Sequence, residues 1–155
     1  MVRHRQTGFT LIELMLAVAI LAILAILSAI AIPFYRGYVN EARIGTVIED
    51  IRQIELILTD LYLDNRPPAT LAAAGINMVD PWGNPYQYLW IRNNPAPGIS
   101  GKRRRDKSMN PVNSDYDLYS MGADGETSPQ FTGKKARDDI VRANDGDFVG
   151  LAEDH

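Results

Sequence analysis

Nineteen consecutive residues, Leu14 to Ile32, carry no formal charge, and all but Ser28 are Leu, Ile, Ala, Val or Met. A helix of that length spans the hydrocarbon core of a bilayer. Arg3 and Arg5 precede the run, so the positive-inside bias predicts a cytoplasmic N-terminus and an exported C-terminal body. A secretory signal has a shorter apolar region followed by a small-residue cleavage site. Here Pro33-Phe34-Tyr35-Arg36 follows and the apolar pattern continues at helical spacing, which predicts that the segment is retained.

The overall hydrophobic content of 46% averages this block with a polar remainder, so one modest core with an attached helix is expected. There is no cysteine, which excludes disulfides, thiolate metal sites and a cysteine nucleophile. A net charge of -3 does not indicate a nucleic-acid partner, and none is expected. The two histidines, His4 and His155, are not placed for buried acid–base work, and no glycine-rich phosphate loop precedes a helix. The chain is not expected to be an enzyme.

Glu13 enters the apolar stretch from its N-terminal side. A carboxylate in a membrane helix costs roughly 2.5 to 3.5 kcal/mol at the centre and less near an end, so it requires a partner or a function. Cleavage after Gly8 would supply one. The new Phe9 amine is a cation, and among staggered helices it can lie beside Glu13 of a neighbouring copy in low dielectric, setting axial register.

The stretch Gly8-Phe9-Thr10-Leu11-Ile12-Glu13-Leu14-Met15 resembles the leader junction of type IV pilins and type II secretion pseudopilins. The resemblance implies cleavage between Gly8 and Phe9 by a prepilin peptidase, methylation of the Phe9 amine, and an assembly role for Glu13. The alternative reading is a plain single-pass anchor with an incidental glutamate. Pro33 lies three residues further from the junction than the family's usual proline. It lacks the N–H that would bond the Ala29 carbonyl, which predicts a kink or a locally melted turn.

Beyond Pro33, Ile44, Val47, Ile48, Ile51, Ile54, Leu58 and Leu61 recur at three- and four-residue spacing, predicting an amphipathic helix that packs on a sheet. One helix is expected from about Thr10 to Leu63, stopped by Pro67 and Pro68. On its polar face, Glu49 and Asp50 with Arg43 and Arg52 are candidates for exposed pairs between copies, each worth roughly 0 to 1 kcal/mol.

A short helix over 69–77, strands over Tyr86–Arg92 and Tyr116–Ser120, and a third over Asp147–Gly150 complete the expected body. Gly122 to Ile140 reads as one long irregular loop. The run Lys102-Arg103-Arg104-Arg105 reads as a solvated loop.

Asp80-Pro81-Trp82-Gly83-Asn84-Pro85-Tyr86-Gln87-Tyr88 and Ser120-Met121-Gly122-Ala123-Asp124-Gly125 resemble two stretches of the type II secretion major pseudopilin. They are similar to the turn opening its sheet and to the start of its calcium loop. The resemblance carries calcium ligation onto Asp124, Asp138 and Asp139, with carbonyls near Met121. The insert Ser128 to Arg137, with three cations, is longer than the family's and opposes a calcium site unless those cations point away. Without the resemblance the plain reading is a solvated loop.

The expected fold class is α+β, type IV pilin-like. A long N-terminal helix, membrane-spanning in its first half and amphipathic in its second, packs on a small antiparallel sheet. The expected divisions are a leader at 1–8, an assembly half of the helix at 9–33, an amphipathic half at 34–64 and a periplasmic body at 65–155. The resemblance implies a structural subunit of the secretion pseudopilus, anchored in the bacterial inner membrane. Its implied partners are copies of itself, minor pseudopilins, an inner-membrane assembly platform and the prepilin peptidase. The rival readings are a surface type IV pilin for adhesion, motility or DNA uptake, and a membrane-anchored periplasmic binding protein or enzyme that never polymerises.

Overall fold

The computed structural model describes residues 8–64, 66–94 and 96–155. Of the expected leader only Gly8 falls among them; His4 and the orienting Arg3 and Arg5 lie outside the described residues. The chain divides into two compact units, Met1–Glu41 and Ala42–His155.

In the first unit the helix α1 (Leu11–Leu63) begins. Every residue from Gly8 to Tyr38 is exposed. Pro33 sits inside the helix, and the turn expected to melt there remains helical. Proline removes one hydrogen bond and crowds the preceding turn, but the Leu and Ala residues upstream are strong enough helix formers to carry α1 through.

In the second unit the remaining turns of α1 pack on a four-stranded sheet. The strands are β1 (Gln87–Trp90), β2 (Tyr116–Ser120), β3 (Ile140–Ala143) and β4 (Phe148–Leu151), in the spatial order β1-β2-β3-β4. All neighbouring pairs are antiparallel. Val47, Ile51, Ile54 and Leu58 are fully buried and meet Tyr86, Tyr116, Leu118 and Ile140 in the main core. Burying each such side chain contributes about 1.5 to 3 kcal/mol. Ile44 and Ile48 pack at its margin. A second core of Val112, Phe131, Val141, Ala143 and Ala152 uses the alternate residues of β3, as a period of two requires.

Four expectations change. The helix over 69–77 shrinks to a single 3-10 turn, Ala72–Ala74, closed by Gly75 in the left-handed region at φ 77. β3 lies where the loop was expected to end. The third expected strand is β4, beginning at Phe148, and Asp147 precedes it. A four-residue helix α2 (Ile99–Lys102) precedes the rest of the cationic run, which is not simply solvated: Arg104 is only 2% exposed.

Candidate functional site

Two regions carry the candidate residues, one at the start of α1 and one around the loop joining β2 to β3. At the helix start, Thr10 and Glu13 cap each other. The Thr10 N–H and hydroxyl donate to Glu13 Oε2 at 2.9 and 2.8 Å, and the Glu13 N–H donates to Thr10 Oγ1 at 3.3 Å. This is a capping box, which satisfies N–H groups that a helix start leaves without intrahelical partners. The Thr-x-x-Glu spacing signals it in the sequence. Glu13 thus nucleates the helix as well as carrying a charge. Gly8 and Phe9 stand immediately before the cap, and Phe9 is 88% exposed.

In the second region the turn at Asp80 and the loop at Ser120–Gly125 form one structure. Asp80 Oδ1 accepts the N–H groups of Trp82 and Asn84 at 3.0 and 2.8 Å, while Oδ2 accepts the Ser120 hydroxyl at 2.6 Å. Asn84 Nδ2 donates to the Gly122 carbonyl at 3.3 Å. The aromatic residue that follows the turn, Tyr86, donates its hydroxyl to Asp50 at 2.7 Å. Burial, with the Asp50 carboxylate, pushes the Tyr86 phenol well above its usual range, so it is a hydrogen-bond donor at neutral pH.

Asp138 Oδ2 accepts the N–H groups of Ala123 and Asp124 at 3.0 and 3.1 Å, drawing Asp138 onto the turn that carries Asp124. Asp124 Oδ1 accepts the Glu126 N–H at 2.7 Å. Asp139 turns inward instead. Its Oδ2 pairs with Arg104 Nη2 at 2.7 Å and accepts the Thr127 hydroxyl at 2.5 Å, while its buried Oδ1 has no hydrogen-bond partner. Burial pushes the Asp139 carboxyl upward, against the pull of Arg104.

Gly122, at φ 64, is required here. A Cβ would overlap the Asp138 carbonyl and lie 2.7 Å from its Oδ2. Gly122→Ala is therefore expected to open the 122–126 turn and lower the melting temperature of the body, which differential scanning calorimetry reads. Strain at positive φ alone costs of order 1 kcal/mol, and the overlap adds to it.

The charges expected between copies are partly used within the chain. Arg52 pairs with Glu55 at 2.9 Å and donates to the Gly146 carbonyl at 2.6 Å, and Asp50 holds Tyr86. Arg43 and Glu49 remain exposed and make no ion pair among the described residues. His155 is wedged edge-on between Phe131 and Phe148.

Residues 3–31 match the family model described as the prokaryotic N-terminal methylation motif. Over 149 aligned residues the chain is 34% identical to type II secretion system core protein G of Pseudomonas aeruginosa, covering 81% of this chain and 89% of that relative. The chain belongs to the type II secretion system core protein G family. Its core protein G relative from Aeromonas hydrophila is 31% identical over 173 aligned residues, covering 96% of this chain and 99% of the relative. The type IV major fimbrial protein FimA of Dichelobacter nodosus is 38% identical over 77 residues, but these cover only 48% of this chain and 47% of FimA. No solved structure matches the chain.

For this core protein G family member, the fit of the loop to calcium can be judged from its donors. Asp138 sits on the Asp124 turn, and the buried, unpartnered Asp139 Oδ1 is the kind of oxygen a hard cation completes. Asp139 fits only through that one oxygen, because Oδ2 is already shared by Arg104 and Thr127. Among the described residues no three acidic or histidine side chains converge on one point, so main-chain carbonyls would complete any such site.

Proposed function

We propose that this chain is the major subunit of a type II secretion pseudopilus, polymerising through the N-terminal part of α1 to drive folded proteins across the outer membrane. The observation that carries the reading is the exposure of every residue from Gly8 to Tyr38 on a helix that is apolar for most of that length. Such a surface requires lipid before assembly and other copies of itself afterwards. The core protein G relatives, which align with 81% and 96% of the chain, favour this over a surface pilus, since the FimA likeness covers about half of it.

In this reading the prepilin peptidase cuts between Gly8 and Phe9 and the Phe9 amine is methylated. The amine then lies against Glu13 of an adjoining copy. The unassembled chain sits in the inner membrane with its N-terminus cytoplasmic and its body periplasmic, where minor pseudopilins and the assembly platform meet it. Calcium, where bound, would supply a divalent charge that draws Asp124, Asp138 and Asp139 Oδ1 together. No residue is assigned a catalytic role.

Intact-mass analysis of the membrane-extracted chain tests the processing: a species beginning at methylated Phe9 is expected, and a product retaining residues 1–8 overturns it. Deleting the protein is expected to abolish release of secreted enzymes while leaving surface motility intact. The opposite pattern would make the chain a surface pilin.

A further inference from the structure

The cationic run after α2 has one member with no place in the assembly reading. Arg104 is 2% exposed, and its Nη2 meets Asp139 Oδ2 and Thr127 Oγ1, each at 2.7 Å. Its Nη1 donates to the Ser128 carbonyl. The guanidinium carbon lies 3.5 Å from the centroid of the Tyr119 ring, and the Arg104 main-chain N–H donates to Asp117 Oδ2 at 2.7 Å. Its neighbour Arg105 adds two main-chain bonds, donating to the Pro129 carbonyl at 2.9 Å and accepting from the Phe131 N–H at 3.1 Å.

A carboxylate, a hydroxyl and a main-chain carbonyl are the kinds of oxygen that a hard cation gathers when it orders a loop. Here a side chain fixed in the fold gathers them, in a planar fork backed by an aromatic ring. We propose that Arg104 is the resident cation of the β2–β3 loop. It orders the half built from Thr127 to Phe131 and Asp139, independently of any metal. The turn of Gly122 to Glu126 with Asp138 is left as the half whose order a metal can change, and Asp139, whose Oδ1 has no hydrogen-bond partner, is the residue the two centres share. The loop is thus organised at two centres. The stretch Ser128 to Phe131 is held by the first of them.

Trypsin reads this directly, because Lys134, Lys135 and Arg137 are exposed within the loop. The full chain in detergent is digested in EGTA and in calcium, and cuts at these residues are timed by mass spectrometry. The wild type is expected to be cut there slowly in both conditions. Arg104→Gln leaves a buried carboxylate without its partner and should raise the rate roughly a hundredfold, with calcium failing to restore it. Thr127→Val, a milder change, should fall between, and serves if Arg104→Gln loses the near-ultraviolet dichroism of its tyrosine core.

The proposal is overturned if Arg104→Gln and Thr127→Val are both cut at the wild-type rate. It is equally overturned if the wild type in EGTA is cut as fast as Arg104→Gln and calcium protects both. Calorimetric titration with calcium judges the metal separately: absence of heat removes calcium from the loop and leaves the role of Arg104 standing.

Discussion

Glu13→Gln is expected to abolish filament assembly while leaving membrane insertion unchanged. The capping box makes this substitution informative. Glutamine at the same position still accepts from the Thr10 N–H and hydroxyl, which now bond Glu13 Oε2 at 2.9 and 2.8 Å, so the helix start survives. What is lost is the negative charge. In the low dielectric of packed apolar helices, an amine left without its carboxylate costs roughly 3 to 5 kcal/mol per contact. That corresponds to a fall of more than about a hundredfold in the association constant for each added subunit. The measurement is the yield of sheared filaments, with resistance to carbonate extraction as the insertion control. Glu13→Ala, which removes both cap and charge, should do no worse in assembly if the charge is what matters. Wild-type filament yield from Glu13→Gln would reduce Glu13 to a helix cap and remove the electrostatic basis of the proposed register.

How legible this was depended on the range of the interactions. The apolar run, the Gly8–Phe9 junction and the stripe from Val47 to Leu58 are local patterns, and the fold they implied is the one observed. The Asp80 turn and β2 were also readable, because Pro, Gly and Asn punctuate the first and Tyr116 and Leu118 alternate with Asp117 in the second. What escaped was set by contacts distant in sequence. β3 is four residues with Arg142 in its interior, and its identity depends on Glu55, 87 positions away. Arg104 looked like one charge among four in a solvated run, and only the fold brings Asp139, 35 positions on, to its guanidinium. The same holds for Asp139: only the fold shows that one of its oxygens is held by Arg104 and the other left without a partner. The capping box at Thr10 and Glu13 is local, and its Thr-x-x-Glu spacing is present in the sequence.

Arg142→Met should be the most destabilising single change in the body. Arg142 is 3% exposed and reaches both α1 and the strand entry: Nε pairs with Glu55 Oε1 at 2.8 Å, and Nη1 and Nη2 each bond an Asp115 oxygen at 2.9 Å. Nη1 also donates to the Tyr116 carbonyl at 3.2 Å, and the guanidinium carbon stacks 4.2 Å from the Tyr116 ring centroid. Methionine fills much of the volume but leaves Asp115 without a cation. Glu55 is less affected, because Arg52 still pairs with its other oxygen at 2.9 Å. Breaking a buried pair from one side costs about 3 to 5 kcal/mol, and the surviving Arg52 contact places this case toward the lower end. For a body of this size that is a fall of roughly 10 to 20 °C in melting temperature, read by near-ultraviolet dichroism of the full chain in detergent. Arg142→Lys keeps the charge without the fork and should recover only part of the loss. Adding Asp115→Asn to Arg142→Met removes the stranded carboxylate and should recover more, giving a coupling energy by double-mutant cycle. A melting temperature within a few degrees of wild type for Arg142→Met would mean that the apolar stripe alone holds α1 to the sheet.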